Sequence, residues 1–455
     1  MVAWPLRPTG RGALRRVLGV SAVAALAATL AACSSGSSTS AGQFGFPEAS
    51  QSGGTITVWV DNTRVAAADA FKKANPKIPI NVVTYDGSAN GSNSFQTKIT
   101  LFDEAGKGWP DVVFSSQNND ASWASQKVNG KQAFAATLNK GLVDTSTVDG
   151  FAKGSLNSCT VDGQVYCLRN DLAQTVLWYN HSLLTKFGYT VPKTWQEYQA
   201  LGDKVAKEHP GYIVGSVGDA WTPETYFWAS KCQANDVTAI RSITVNTDST
   251  QCKRAASLLD DLVSNGTMAK ESVFAPQFVQ QYAGKVLMMP GPAWFAGSIL
   301  QSKTSLNVPT RQMAVATPLA WGNENPVTGN VGGGTWFISS HSTNLKAAQE
   351  FVKFVSTSDA YQVDLAPGYP AYSSAAQKWV AKQEAGNYFV GDLSSLTTAA
   401  SQVWPGWGAP QFSQEAIWAK TMTSHITSGE KIVDLLPTWQ KAIENQAQVS
   451  GYKVN

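Results

Sequence analysis

The sequence predicts an α/β fold divided into two lobes, on three observations. Strand-like and helix-like segments alternate along the chain, as they do where a mostly parallel sheet is flanked by helices. The 455 residues exceed the usual size of a single domain. A hydrophobic fraction of 43% is enough to bury a large core.

The first element is an export signal. Arg7, Arg11, Arg15 and Arg16, with no acidic residue among them, precede an apolar run over residues 17–30. That run is too short to span a bilayer. It leads through Leu30, Ala31 and Ala32 into Cys33, the pattern of a lipoprotein signal cut before a cysteine that then receives lipid. Residues 1–32 are therefore expected to be removed, and Cys33 to carry the anchor. The pair Arg15-Arg16 keeps twin-arginine export open beside the general route. Residues 33–53, dominated by Ser, Gly, Thr and Ala, are expected to form a flexible tether with a reach of roughly 25 Å.

Folded structure is expected from residue 55. The segment 55–60 is β-branched and apolar, 65–73 has a helical rhythm, and 78–85 reads as a second strand. Strand, helix and strand at that spacing form a βαβ unit with parallel pairing. A further strand over 111–115 follows Trp109-Pro110. Next come a helix over 195–207, which Thr194 and Glu197 open with a capping box, and a strand over 212–217. A helix over 252–265, strands over 286–289 and 313–317, and a helix over 345–356 complete the alternation. No heptads, short repeats or further membrane-length apolar run interrupt it.

Charge and cysteine content narrow the function. Signal removal takes four of the 35 basic residues and none of the 32 acidic ones, leaving 31 against 32 and a net charge near −1. No basic patch for nucleic acid follows. Four cysteines remain for an oxidising compartment, Cys159, Cys167, Cys232 and Cys252, with three possible pairings. Cys159 and Cys167 flank the turn signal Asp162-Gly163, which makes a bridge across a hairpin easy and leaves Cys232 with Cys252. The four histidines, His181, His209, His341 and His425, lack metal-ligand spacing, so neither a metal nor a cofactor is expected.

Six motifs follow one another along the chain, from GTITVWVDNTRVAAADAFKKANPKIPINVVTYD to the stretch between ATPLAW and FVKFVST, and in that order they resemble the extracellular solute-binding proteins of ABC sugar importers, the group that includes maltose-binding protein. GTITVWVDNTRVAAADAFKKANPKIPINVVTYD is similar to the family's opening strand-helix-strand, with Phe71, Asn75, Pro76 and Ile80 in place. WPDVVFSS, VYCLRNDLAQTVLWYNHSLLTKFGY, VPKTWQEYQALGDKVA, GKVLMMPGPAWFAGSI and the stretch from ATPLAW to FVKFVST resemble further family elements in sequence. Each motif is weak alone, whereas six in order over nearly all of residues 54–455 are specific. Two features depart from the family. Arg169 and Asn170 stand at its usual proline, and the cysteine pairs are not general in it.

The resemblance implies a two-lobed periplasmic-binding-protein (Venus-flytrap) fold with a multi-crossing hinge. Residues 54–170 and 318–358 would form lobe one, and 171–317 and 359–455 lobe two. It further implies a non-enzymatic, monomeric receptor on the outer face of the cell membrane. Such a receptor captures a carbohydrate, an oligosaccharide in the first instance, between its lobes and hands it to ABC permease subunits. A non-sugar solute on the same fold and a secreted glycoside hydrolase stand as alternatives, although no paired catalytic carboxylate motif is evident.

A sugar presents apolar C–H faces and a rim of hydroxyls, so its receptor needs flat aromatic plates and planar hydrogen-bonding side chains. Sixteen tryptophans supply plates, many of them destined for cores. Trp59, Asp61 and Asn62 end the first strand. Asn118, Asn119, Asp120 and Trp123 follow the 111–115 strand, with capping as the other role for Asp120. Asp171 marks the proposed crossover, where a hinge bond competes. The resemblance places a ligand-stacking tryptophan at Trp294. Trp221 and Glu224 lie in WTPETYFW, whose spacing also suits a core helix. Gly333 and Gly334 permit close backbone approach, to a ligand or within a turn. Trp336, Tyr369, Trp404 and Trp407 complete the candidates, whereas Trp379, Trp418 and Trp439 sit in helical rhythm and read as core.

Overall fold

The computed structural model describes residues 42–87, 94–127 and 131–455. The expected signal, Cys33 and the tether to residue 41 lie outside these.

Alternation in ITVWV places Ile56, Val58 and Val60 on one face of the strand Ile56–Val60, with all three fully buried. That strand pairs in parallel with Ile80–Thr84 on one side and Val112–Ser115 on the other, as the βαβ reading requires. The strand Thr335–Ile338 joins antiparallel to Val112–Ser115 and carries Leu168–Arg169 on its far edge, giving five strands. The helices Val65–Ala74 and Leu345–Thr357 are packed together, with Phe71 edge-on to Phe351 at 4.9 Å.

A second, antiparallel sheet places Thr175–Asn180 between Met288–Pro292 and Met313–Ala316. Its central strand has every residue but Tyr179 buried, because Val176 and Trp178 join one core while Leu177 joins another. The helices Trp195–Glu208, Thr250–Ser264 and Ile432–Val449 build that other core, and the fully buried Trp418 and Trp439 lie within it. Thr194 Oγ1 accepts from Glu197 N at 3.1 Å and Glu197 Oε2 accepts from Thr194 N at 3.2 Å, the expected capping box. The expected strand over 212–217 shrinks to Gly215–Ser216, paired with Met268–Ala269. Both expected disulfides form, Cys159–Cys167 and Cys232–Cys252. The first closes a hairpin whose turn residues Asp162 and Gly163 both have positive φ, 50° and 71°.

The chain passes from the first sheet to the second after Arg169 and returns between Ala316 and Thr335. The third passage comes later than expected. The expected boundary after residue 358 puts residues 359–362 in lobe two, yet the Gln362 side-chain amide donates to the Val355 carbonyl at 2.6 Å and to Asn170 Oδ1 at 3.2 Å. Contact with the second sheet is made again at Phe389, whose ring lies 5.5 Å from that of Trp178, and at Val390, whose N–H donates to the Met313 carbonyl.

Residues 42–53 are not a free tether. Phe46 is buried in the first core, Gln51 bonds to Ser342 and Leu345, and Gly53 N donates to the Thr343 carbonyl. Two aromatic rings, Phe44 and Phe46, bury enough apolar surface to tie down a segment otherwise made of small and polar residues.

Candidate functional site

A cavity of about 790 Å³ opens between the two halves of the chain, within the usual range of ligand sites. From the first half it takes Asn118, Asn119, Ser122 and a wall drawn from residues 153–162. From the second it takes Glu224, Trp228, Asn235 and a stretch over 400–415 that includes Trp404, Trp407 and Gln414. The halves touch directly beside it: Ser122 Oγ donates to the Ala409 carbonyl at 2.5 Å, and Arg241 Nη2 donates to Gln126 Oε1 at 3.3 Å.

Two kinds of surface meet there. Trp228 and Trp407 stack at 5.6 Å with 14° between their planes, held by the Trp228 indole N–H on the Trp404 carbonyl at 2.7 Å. Around them, Asn119 Nδ2, Asn235 Oδ1, Glu224 Oε2 and both polar atoms of Gln414 are buried without a hydrogen-bond partner among the described residues. Burial of one such atom unsatisfied costs about 1–3 kcal/mol. Five in one cavity indicate partners supplied from within it, as water or as a polar ligand.

The floor is electrostatically organised. Arg169, fully buried, donates from Nη1 to Asn118 Oδ1 at 2.6 Å and Ser158 Oγ at 3.0 Å, and from Nη2 to the Gly332 carbonyl at 2.9 Å. Burial lowers its pKa to about 10, against the pull of Asp171 and Glu224, so it remains a cation at neutral pH. Burial raises Glu224 to about 8, although Arg169 and the Gly332 N–H favour its charged form.

Five of the expected residues meet at this cavity: Asn118, Asn119, Glu224, Trp404 and Trp407. The others are placed elsewhere, for identifiable reasons. Trp59 packs on Tyr85 and Phe102, on the opposite side of its strand from the buried Ile56, Val58 and Val60. Asp61 caps a short turn through Arg64 N at 2.9 Å, and Asn62 is exposed. Asp120 is fully buried and accepts from Ser115 Oγ at 2.5 Å and Gln96 Nε2 at 3.0 Å; burial raises its pKa to about 6. Trp123 lies edge-on to Phe95. Asp171 accepts from Asn170 Nδ2 at 2.8 Å and Gly334 N at 3.1 Å, so one of its oxygens is used within the protein.

Trp294 is turned to the protein. Its indole N–H donates to the Val331 carbonyl at 2.9 Å, Phe274 stacks on it at 5.8 Å, and Trp221 meets it edge-on. Trp336 is fully buried with its N–H on Asn170 Oδ1 at 3.0 Å, and Tyr369 lies buried against Trp379. Gly333 and Gly334 serve close approach within the protein: an added Cβ would come 2.4 Å from Arg169 Nη2 at the first and 2.1 Å from the Phe114 ring at the second. Sequence reasoning missed Trp228, Asn235, Gln414 and the 153–162 wall. Within that wall, Cys159 and the Asp162-Gly163 turn are the sequence signals, and Arg169 beside it stands out as a departure from the family's proline.

The family model for the bacterial extracellular solute-binding protein matches residues 59–362. The arabinooligosaccharide-binding protein of Bacillus subtilis (strain 168) is 23% identical over 297 residues, 63% of this chain and 64% of that protein, under two thirds of its length. The multiple sugar-binding protein of Streptococcus mutans serotype c is 26% identical over 316 residues, 65% of this chain and 69% of its own. Among solved structures, the ABC transporter associated binding protein from B. animalis subsp. lactis Bl-04, in complex with beta-1,6-galactobiose, aligns with a TM-score of 0.73 at 20% identity. The alignment covers 88% of this chain and 99% of that one, a likeness of fold.

Proposed function

We propose a function from one premise: the chain belongs to the family of bacterial extracellular solute-binding proteins. It is the substrate-binding component of an ABC importer. It captures a carbohydrate, an oligosaccharide by the size of the cavity, between its lobes and delivers it to permease subunits. The observation that carries this reading is the pairing, in one cavity, of the stacked Trp228 and Trp407 with five partnerless polar atoms drawn from both halves. Indole faces cover the apolar face of a sugar ring, and amides and a carboxyl match its hydroxyls. No bond need break. A ligand that bridges the halves binds the closed form more tightly and shifts the open-closed equilibrium by that difference.

The names of the relatives support the sugar class, and the N-terminal sequence supports release of residues 1–32 and lipidation of Cys33, which would hold a monomeric receptor at the outer face of the membrane. A thermal-shift screen with arabino-oligosaccharides, β-1,6-galactobiose and malto-oligosaccharides tests the function. A ligand at 100 times its Kd stabilises by about 2.7 kcal/mol. A rise in Tm with one of these sugars, lost in Trp407→Ala, is expected; no response to any of them, with a response to amino acids, polyamines or metal chelates, would overturn the carbohydrate assignment.

A further inference from the structure

The cavity wall over residues 153–162 is an unusual structure for a binding surface. Eight of these ten consecutive residues line the cavity, among them Asn157, Ser158 and Asp162. Yet the segment has little regular structure: a three-residue turn, Asn157–Cys159, and one two-residue strand, Thr160–Val161, paired only with Gln164–Val165. Lys153, Gly154, Asn157 and Thr160 are exposed, so packing does not hold them. A wall of this kind is expected to fluctuate, and ordering it on binding would cost affinity.

Against that, both sulfurs of Cys159–Cys167 are fully buried in the first core. Cys167 immediately precedes Leu168–Arg169, the edge strand of the five-stranded sheet. The bridge therefore ties the middle of the wall to the rigid sheet. Arg169, two residues further on, reaches Ser158 and Asn118 together, so the tie extends to the cavity floor.

We propose that the Cys159–Cys167 disulfide is a positioning element of the binding site, which holds residues 153–162 in their ligand-ready arrangement. This rests on the assignment of the cavity as the ligand site. Breaking the bridge loosens the wall and weakens binding while the fold survives.

The test compares three full-length proteins: wild type, Cys159→Ala/Cys167→Ala and, as a control, Cys232→Ala/Cys252→Ala. Amide hydrogen exchange is followed at a temperature where all three keep the native circular dichroism, and needs no ligand. Exchange over 153–166 is expected to rise roughly tenfold or more in the first variant and to stay at the wild-type rate in the control. Titration with β-1,6-galactobiose and arabino-oligosaccharides should show affinity falling roughly tenfold in the first variant. Unchanged exchange over 153–166, a rise spread over the whole chain, or a loosened wall with undiminished affinity would each overturn the proposal. If neither sugar binds wild type, the choice of sugar fails, while exchange still decides the wall. Should the alanine pair not fold, the bridge is reduced within the folded control variant, under denaturant just below its transition, and the same exchange is read before and after.

Discussion

Two groups of tryptophans in this molecule differ in what their faces meet. Trp294 and Trp336 are both candidates for ligand contact by sequence, yet each has its N–H on an internal acceptor and its faces against protein: Phe274 on Trp294, Phe114 and Phe351 on Trp336. Trp228 and Trp407 have much the same burial as core residues, at 7% and 6% exposed. They differ because their stack borders a cavity whose neighbouring polar atoms lack partners. Total exposure does not separate the two groups; the environment of the remaining face does.

The comparison can be broken by substitution. The largest effect is expected at Trp336→Ala, which empties a fully buried site and leaves Asn170 Oδ1 short of a donor. A loss of about 3–5 kcal/mol in chemical denaturation is expected, and a loss under about 1 kcal/mol would show that Trp336 is not structural. Trp407→Ala should weaken sugar binding by about 2 kcal/mol, roughly thirtyfold by calorimetry, with a much smaller shift in unliganded Tm than Trp336→Ala. If the two variants instead behave alike, the distinction between the groups is lost.

Asn119→Ala removes an amide whose buried Nδ2 has no hydrogen-bond partner among the described residues. It should lower affinity by about 1 kcal/mol and leave unliganded stability unchanged or slightly raised; a clear drop in stability would mean that the amide is satisfied within the protein. The smallest effect concerns protons. Burial raises the Glu224 pKa to about 8, so the folded chain holds this proton more tightly than the unfolded chain does. The resulting stabilisation is full below the ordinary carboxyl pKa and is lost as pH rises through about 8. Unliganded wild type should therefore lose more Tm between pH 5 and 8 than Glu224→Gln. Parallel pH profiles for the two proteins would exclude Glu224 as the group responsible.

Local pattern determined a large part of this protein. The alternation of ITVWV, the helical rhythm after it and the Thr194-Glu197 capping box fix elements through neighbours a few residues apart, and these elements are found where the sequence places them. The Asp162-Gly163 turn likewise brings Cys159 to Cys167 within a short stretch of chain. The signal and lipid-attachment pattern is equally local and lies outside the described residues. Tertiary structure alone decided the cavity. Trp228, Asn235, Asn119 and Gln414 are separated by up to roughly 300 positions, and whether each meets protein or a ligand depends on which chain segments cross the sheets. The tether ends earlier than its composition implies for the same reason, since Phe44 and Phe46 become anchors only when a distant core presents a surface to them. Periodicity records which face of an element is buried. It does not record what covers that face, and on this molecule that is the difference between a packed core and a cavity wall.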